Sequence, residues 1–266
     1  MLAQDSEIRR YYFDLNESNP VHVISHYHDD PNDSYFDMHY EVELGIVTKG
    51  RMQREYLNYQ KEVGPGETWL CGIWEPHGFE IVESPCEVVI FFADPAHLTH
   101  ANPFSFDLLR HFMIPPSQRP DVKETTEMVD LALDAKNRLS DNSQPDWAKL
   151  IFYKIILMLN DQYDADGEDN FYYEDYKSIQ PALRMVFEEK RLIKTEEAAQ
   201  QCKLSTTGFR NKFRDLMGSS FSEFALQYRV RGAKTQLQHS NATQQTVAKE
   251  WGFTDASHLH KYLEKI

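Results

Sequence analysis

Residues 21–93 alternate short apolar runs with turn-forming residues, a pattern typical of β-strands. HVISHY, VELGIV, ETWLCG and EVVIFFA are rich in β-branched and aromatic residues, and DDPNDS, GPGE and ESPCE separate them. Many short strands at this spacing predict a jelly roll or barrel. Alternation within FDMHYEVELGIV places Val42, Leu44 and Ile46 on one face and Asp37, His39, Glu41 and Glu43 on the other. The polar row would line a cavity if it points inward, and a solvated outer face is the alternative.

Residues 104–178 change to helical spacing, with two segments that each carry a broad apolar stripe. The stripes comprise Val122, Met128, Val129, Leu131, Leu133 and Leu139 in the first segment, and Trp147, Leu150, Ile151, Ile155, Met158 and Leu159 in the second. This apolar coverage is wider than packing on one neighbour needs. Burial against the barrel and a dimer interface are both open.

The segment from Thr195 to Ile266 contains the sequence pattern of one supersecondary unit twice. Ala199, Leu204 and Ser205 recur as Ala248, Phe253 and Thr254 at an offset of 49, and Phe209 and Phe213 recur as Leu259 and Leu263 at an offset of 50. Ser205 can cap the second helix of the first copy, and Gly218 can end it. Two short helices joined by a tight turn make a helix-turn-helix, so the pattern predicts two of them.

The segment between the copies, SFSEFALQYRVRGAKTQLQ, predicts a connecting helix with Phe221, Phe224, Ala225, Tyr228, Ala233 and Leu237 on one face. If Phe209 and Phe213 are buried, the opposite face of their helix shows Thr207, Arg210, Asn211 and Arg214, and the matching positions of the second copy are Ser257, His260 and Lys261. Hydrogen-bond donors of this kind suit phosphates and purine edges. The sequence therefore predicts a DNA-binding face, with a small helical bundle as the alternative.

These repeats, and the phrase AKEWGFTDASHLHKYL, resemble the DNA-binding domain of AraC/XylS-type transcription regulators. The resemblance implies two recognition helices that enter successive major grooves of double-stranded DNA, and it favours a homodimer. Leu259 and Leu263 stand where the family usually has Phe. The printed sequence stops at Ile266, inside the last recognition helix, so we expect either a truncated C-terminus or a weakly supported second unit.

Charge divides the chain in the same way. The net charge is −14, but residues 180–266 carry 14 Lys and Arg against 9 Asp and Glu, whereas residues 1–179 carry 14 against 33. This asymmetry indicates that the C-terminal part meets phosphate.

Cys71, Cys86 and Cys202 are odd in number and widely spaced, as free thiols of a reducing compartment are. Without a signal-like start or a membrane-spanning run, the expected location is cytoplasmic.

Residues 37–77 resemble a cupin. His39, Glu43 and Gly50 match the first motif of that family, and PGE at 65–67 with Pro76 and His77 resembles the second. The resemblance maps the metal ligands of metallocupins onto Asp37, His39, Glu43 and His77, with Asp in place of the first histidine. Regulatory cupins generally lack metal, so no cofactor is expected, and these side chains would instead hydrogen-bond a ligand.

We therefore expect an α+β protein with a cupin-like effector-binding and dimerisation domain over 1–170 and a double helix-turn-helix over 180–266, joined by a linker within 164–175. The predicted function is ligand-responsive transcription regulation, with a sugar or similar small polar effector bound by His39, Glu43, Trp69, Trp74 and His77. A metal-dependent cupin enzyme with a helical appendage, and a repressor whose barrel only dimerises, are the alternatives.

Overall fold

The strand-forming runs build one antiparallel sheet of six strands in the order β1-β6-β3-β4, with β2 added on β6 and β5 on β3. A computed structural model describes Leu15 and residues 19–120, 125–139, 145–161 and 173–264. The strands are β1 Val21–His28, β2 Ser34–Asp37, β3 Val42–Tyr56, β4 Gln60–Val63, β5 Thr68–Cys71 and β6 His77–Ala93. The described residues separate into an N-terminal unit, 19–161, and a C-terminal unit, 173–264.

Strands β3 and β6 pair along almost their whole length and form the centre of the sheet. The predicted turn at ESPCE is wrong, because β6 runs through those residues without a break. The irregularity appears instead as register shifts between Val47 and Met52 of β3. Extra residues in one strand are accommodated by such bulges, which bend the strand without ending it.

Four helices follow the sheet, α1 Pro95–His100, α2 Arg110–Met113, α3 Thr125–Leu139 and α4 Pro145–Asp161. Helix α3 contacts β1 and β3, and α4 contacts β1. Their residues Met128, Ile151, Ile155 and Leu159 are buried, which agrees with the first of the two alternatives for these stripes, packing against the barrel. Leu133, Trp147 and Leu150 of the same stripes remain exposed. Val122 lies outside the described residues.

The C-terminal unit is all α, with α5 Tyr173–Glu188, α6 Thr195–Gln201, α7 Thr206–Met217, α8 Phe221–His239, α9 Gln244–Glu250 and α10 Ala256–Leu263. Phe209, Phe213, Phe221 and Phe224 form its first core, with ring centroids 5.3–5.6 Å apart. The predicted connecting helix is α8, which buries Phe221, Phe224, Ala225, Tyr228 and Ala233. Most of the predicted linker lies outside the described residues.

The two helix-turn-helix pairs are α6–α7 and α9–α10. Ser205 caps α7 by accepting a hydrogen bond from the backbone N–H of Gly208, as predicted, and Gly218 ends it at φ 68°. The equivalent cap in the second pair is Asp255, which accepts from the N–H of His258. The pairing of Ser205 with Thr254 is therefore wrong. One extra residue in the second turn moves the cap, which also explains why the sequence offset grows from 49 to 50.

Among the described residues, no helix is both long enough and apolar enough to cross a membrane.

Candidate DNA interface and effector site

The two recognition helices each bury one face and expose the other. Phe209 and Phe213 of α7 and Leu259 of α10 have no exposed surface. All seven residues that the sequence assigned to DNA are exposed, namely Thr207, Arg210, Asn211 and Arg214 on α7 and Ser257, His260 and Lys261 on α10. Helical spacing alone could predict this division, because each burial is decided within a few turns.

Two cationic side chains of the first helix-turn-helix unit form ion pairs. The Arg210 guanidinium lies 3.1 Å from Glu196 at the start of α6, and Lys212 lies 2.8 Å from Asp175. Both pairs are partly or largely exposed, so water and salt screen them and each is worth little stability. The two cations therefore remain able to exchange partners.

The second pair is anchored by a residue that the sequence did not identify. Arg229 of α8 is buried and donates from Nε to the carbonyl of Trp251 at 2.7 Å and from Nη2 to that of Gly252 at 2.8 Å. Burial lowers the pKa of the Arg229 guanidinium. These bonds satisfy carbonyls at the end of α9, which a helix otherwise leaves unpaired. No periodicity marks a buried arginine of this kind.

In the N-terminal unit the predicted polar row is buried. Asp37, His39 and Glu43 are 4%, 6% and 4% exposed, so the alternative of a solvated outer face is wrong for them. Val42, Leu44 and Ile46 are also buried, which shows that β3 is covered on both sides here. Burial of a carboxylate requires hydrogen-bonding or charged partners.

Glu43 has such partners, and together they form the interior cluster of His39, Glu43, Arg54, Trp69 and His77. Oε1 of Glu43 accepts hydrogen bonds from the Trp69 indole and from Nη2 of Arg54, the latter at 3.2 Å. Oε2 lies 3.3 Å from Nε2 of both histidines. Sequence reasoning missed Arg54, which lies 11 residues along the same strand and carried no motif.

The histidines are oriented by the backbone. Nδ1 of His39 lies 2.9 Å from the carbonyl oxygen of Glu41, and Nδ1 of His77 lies 2.7 Å from that of Glu75. Because a carbonyl only accepts, each Nδ1 carries the proton, and each Nε2 is directed toward Glu43.

Burial and charge oppose each other in this cluster. Burial alone would raise the pKa of Glu43, but the charge of His77 and hydrogen bonds from both histidines hold it well below its ordinary value. Burial alone would likewise lower the pKa of His39, and its hydrogen bond and charge interaction with Glu43 raise it. Asp37 behaves differently: burial raises its pKa despite a 2.8 Å hydrogen bond from the Tyr35 hydroxyl.

The two tryptophans occupy different places. The Trp69 ring lies against Gly45, where an added Cβ would be 1.9 Å from Cζ2, and Arg54 Cζ lies 4.5 Å from its ring centroid. Protein groups therefore cover Trp69. Trp74 lies in the β5–β6 loop at φ 54°, a conformation that bulky residues rarely adopt. Its backbone N–H donates to the carbonyl of His39 at 2.9 Å, which ties the loop to the cluster.

That loop is held by a second, partly buried ion pair. Arg119 binds Glu75 through Nη1 and Nη2 of its guanidinium, with each N–O distance at 2.7 Å. Bidentate pairs of this type fix geometry as well as charge. Glu75 directly follows Trp74, so Arg119 fixes the backbone that positions Trp74 and His77.

Three members of the mapped metal set could hold a divalent metal. Ligating atoms of His39, Glu43 and His77 lie within 4.8 Å of one another, and Asp37 is outside this group. The Nδ1–H contacts to carbonyls are the usual support for metal-binding histidines. The guanidinium of Arg54, however, already neutralises Glu43, and its charge would oppose a second cation at the same carboxylate.

Comparisons with known proteins agree with the architecture. Residues 198–266 match a family model described as a helix-turn-helix domain. A search of the curated proteins finds no match. ToxT from Vibrio cholerae O395 is 10% identical, with 92% of this chain and 93% of that chain covered and a TM-score of 0.51. Unsaturated-fatty-acid-bound ToxT from Vibrio cholerae strain SCE256 is 11% identical, with 96% and 93% covered and a TM-score of 0.52.

At these identities the likeness to ToxT establishes a shared fold, and the family match establishes the nature of the C-terminal domain. The predicted α+β fold class is confirmed, and the metal-dependent enzyme is not favoured. The C-terminal unit is an AraC-type helix-turn-helix domain, and the chain is a DNA-binding transcription regulator with the two-domain fold of ToxT.

Proposed function

We propose that the N-terminal unit binds a small-molecule effector at the interior cluster and that occupancy changes DNA binding by the C-terminal unit. The burial of Glu43 among Arg54, His39 and His77 carries this proposal. Apolar replacements of buried ion pairs are often as stable or more stable, so stability alone does not require such a cluster. Coupling to DNA requires only that the effector bind one conformational state better than the other.

The chemistry of the cluster favours a sugar or sugar derivative. Glu43 accepts hydrogen bonds, as it would from hydroxyl groups, and the histidines can orient further hydroxyls. Nε of Arg54 is buried and has no hydrogen-bond partner among the described residues, so it can donate to an acceptor oxygen of the ligand. Trp74 is the second aromatic residue next to the cluster, although it is 4% exposed, and Trp69 holds Glu43.

An apolar carboxylic acid is the second candidate. ToxT has been solved with an unsaturated fatty acid and with (E)-4-(8-methylnaphthalen-1-yl)but-3-enoic acid, both of which carry one carboxylate. Such a ligand would use the Arg54 guanidinium but leave Glu43 without a new partner.

Thermal melting of the full chain with neutral sugars, sugar acids and fatty acids separates these candidates. We expect sugars or sugar acids to raise the melting temperature, since a ligand that binds only the folded state stabilises it. The Arg210→Ala variant is the control and must respond equally. A shift with fatty acids alone would select the second candidate, and no shift with any of these compounds would contradict an effector site in the cluster. Metal analysis of the purified protein tests the His39–Glu43–His77 group separately.

For the DNA interface we propose the seven exposed residues of α7 and α10 identified above, with Arg210 and Asn211 reading bases and Arg214 and Lys261 contacting phosphates. The exposure of these donors on one face of each recognition helix supports this division.

We also propose that the chain forms a homodimer through α3 and α4. Leu150 and Trp147 of α4 are 57% and 39% exposed, and Leu133 of α3 and Leu157 of α4 are partly exposed beside buried neighbours. Large apolar side chains grouped on adjacent helices are typical of a protein interface.

A further inference from the structure

The turns of the two helix-turn-helix pairs begin with the same backbone geometry, before the extra residue of the second turn. The N–H of Leu204 donates to the carbonyl of Ala199 at 2.9 Å, and that of Phe253 donates to Ala248 at 2.8 Å. Each turn contains one residue at positive φ, Lys203 at 55° and Gly252 at 67°. The left-handed conformation is therefore a requirement of the turn and not an accident of one copy.

Glycine meets this requirement without cost, and lysine does not. An L-residue at positive φ brings Cβ close to the backbone carbonyl, which disfavours the conformation. The second turn has glycine, and an added Cβ there would also lie 2.7 Å from Cα of Arg191. The first turn keeps a lysine although glycine would fit the same backbone.

Nothing in the described part of the C-terminal unit uses the Lys203 ammonium. The side chain is exposed and makes no ion pair or hydrogen bond with the described residues. By contrast, the nearby cations Arg191, Arg210 and Lys212 each pair with a carboxylate. Strained residues retained without a structural partner are candidates for function.

The position of Lys203 fits a phosphate contact. It lies two residues before Ser205, the cap of α7, and therefore at the end of the recognition helix where Thr207 is exposed. We propose that Lys203 contacts a DNA phosphate and that its charge is the reason the turn tolerates a non-glycine residue. The second turn has Gly252 at the equivalent position and therefore no cation there.

The test uses the full chain and a duplex operator selected with it from random sequence. Lys203→Gly removes the charge and suits the backbone, so we expect a melting temperature no lower than that of the parent chain. We expect its affinity to fall roughly five- to tenfold near 0.1 M salt and the salt slope of log K to shrink by about 0.9, the value for one phosphate contact. Lys203→Arg keeps the charge and should bind like the parent.

Unchanged affinity and salt slope in Lys203→Gly would overturn the phosphate contact. An equal loss of affinity in Lys203→Arg would overturn it too, because charge could not then be the cause. A parent chain that selects no duplex would instead overturn the assignment of DNA binding itself, on which this inference rests.

Discussion

Nη2 of Arg54 lies 3.2 Å from Oε1 of Glu43, and the two residues are 3% and 4% exposed. The two residues belong to the same strand, whose register shifts between Val47 and Met52 lie between them. The Arg54 guanidinium is thus one of the groups, together with His39 and His77, that compensate the buried charge of Glu43.

Arg54→Met should therefore destabilise the N-terminal unit strongly. Removing one partner of a buried pair leaves an uncompensated charge and typically costs about 3–5 kcal/mol. Urea unfolding of the variant measures the loss. Arg51→Met is the matched control, because Arg51 lies in the same strand with 46% side-chain exposure and pairs with Glu62 at the surface. Its cost should be below about 1 kcal/mol, and equal losses in the two variants would contradict the pairing.

Glu43→Gln should abolish the effector response while DNA binding is retained. Glutamine keeps the shape of the side chain but loses the charge that Arg54 and the histidines surround. Transcription from a promoter carrying the selected operator, measured with and without the effector, shows the change. Glu62→Gln, a substitution at a surface residue of β4, should respond normally, and a normal response in Glu43→Gln would place the pocket elsewhere.

Arg210→Ala should weaken binding to the selected operator by about 1–3 kcal/mol if Arg210 reads a guanine. Fluorescence anisotropy on the operator and on base-substituted versions measures both affinity and specificity. Arg184→Ala removes an exposed arginine of α5, whose side chain is 60% exposed, and should bind normally. Undiminished binding by Arg210→Ala would show that α7 is not placed in the groove as assigned.

Because His111 is buried in its neutral form, the N-terminal unit should become less stable in mild acid. Burial first, and the charge of Arg110 second, lower its pKa to about 4, whereas the unfolded chain has a value near 6.5. The unfolded state therefore takes up a proton as pH falls from about 6.5 towards 4, and the free energy of unfolding should drop by about 3 kcal/mol over this range.

The measurement is the difference between parent and His111→Phe unfolding free energies at pH 7 and at pH 4.5. The variant should lose much of the acid dependence, since it has no group to protonate. His260→Gln alters an exposed histidine and should leave the dependence unchanged. An identical pH profile for parent and His111→Phe would contradict the prediction.

Leu150→Glu should convert a dimer to a monomer, because it places a charge at the centre of the exposed α3–α4 face. Sedimentation velocity at micromolar concentration reports the state directly. Leu192→Glu is a matched control, since Leu192 is 63% exposed in the C-terminal unit. A parent chain that is monomeric at this concentration would rule out the proposed interface, and a dimer that persists in Leu150→Glu would place the interface elsewhere.

Local spacing let the sequence predict the C-terminal domain well. Phe209 and Phe213 lie on one helix face, and Arg210 and Arg214 lie on another, whatever the helix packs against. The cap at Ser205 and the stop at Gly218 are equally local, because each acts on backbone groups within one turn. The second cap was misassigned by one residue, since the turn length between α9 and α10 is not encoded in helical periodicity.

Only the tertiary structure decided the surroundings of Glu43. Alternation along β3 could predict that Glu43 and His39 share a face, but it does not specify which residues of other strands contact that face. The partners Arg54, Trp69 and His77 come from 11, 26 and 34 residues away, brought in by a bulged strand and by pairing with β5 and β6. Strand register across a sheet is fixed by the packing of the whole domain, so a single sequence predicts the face of Glu43 and leaves the identity of its partners to the fold.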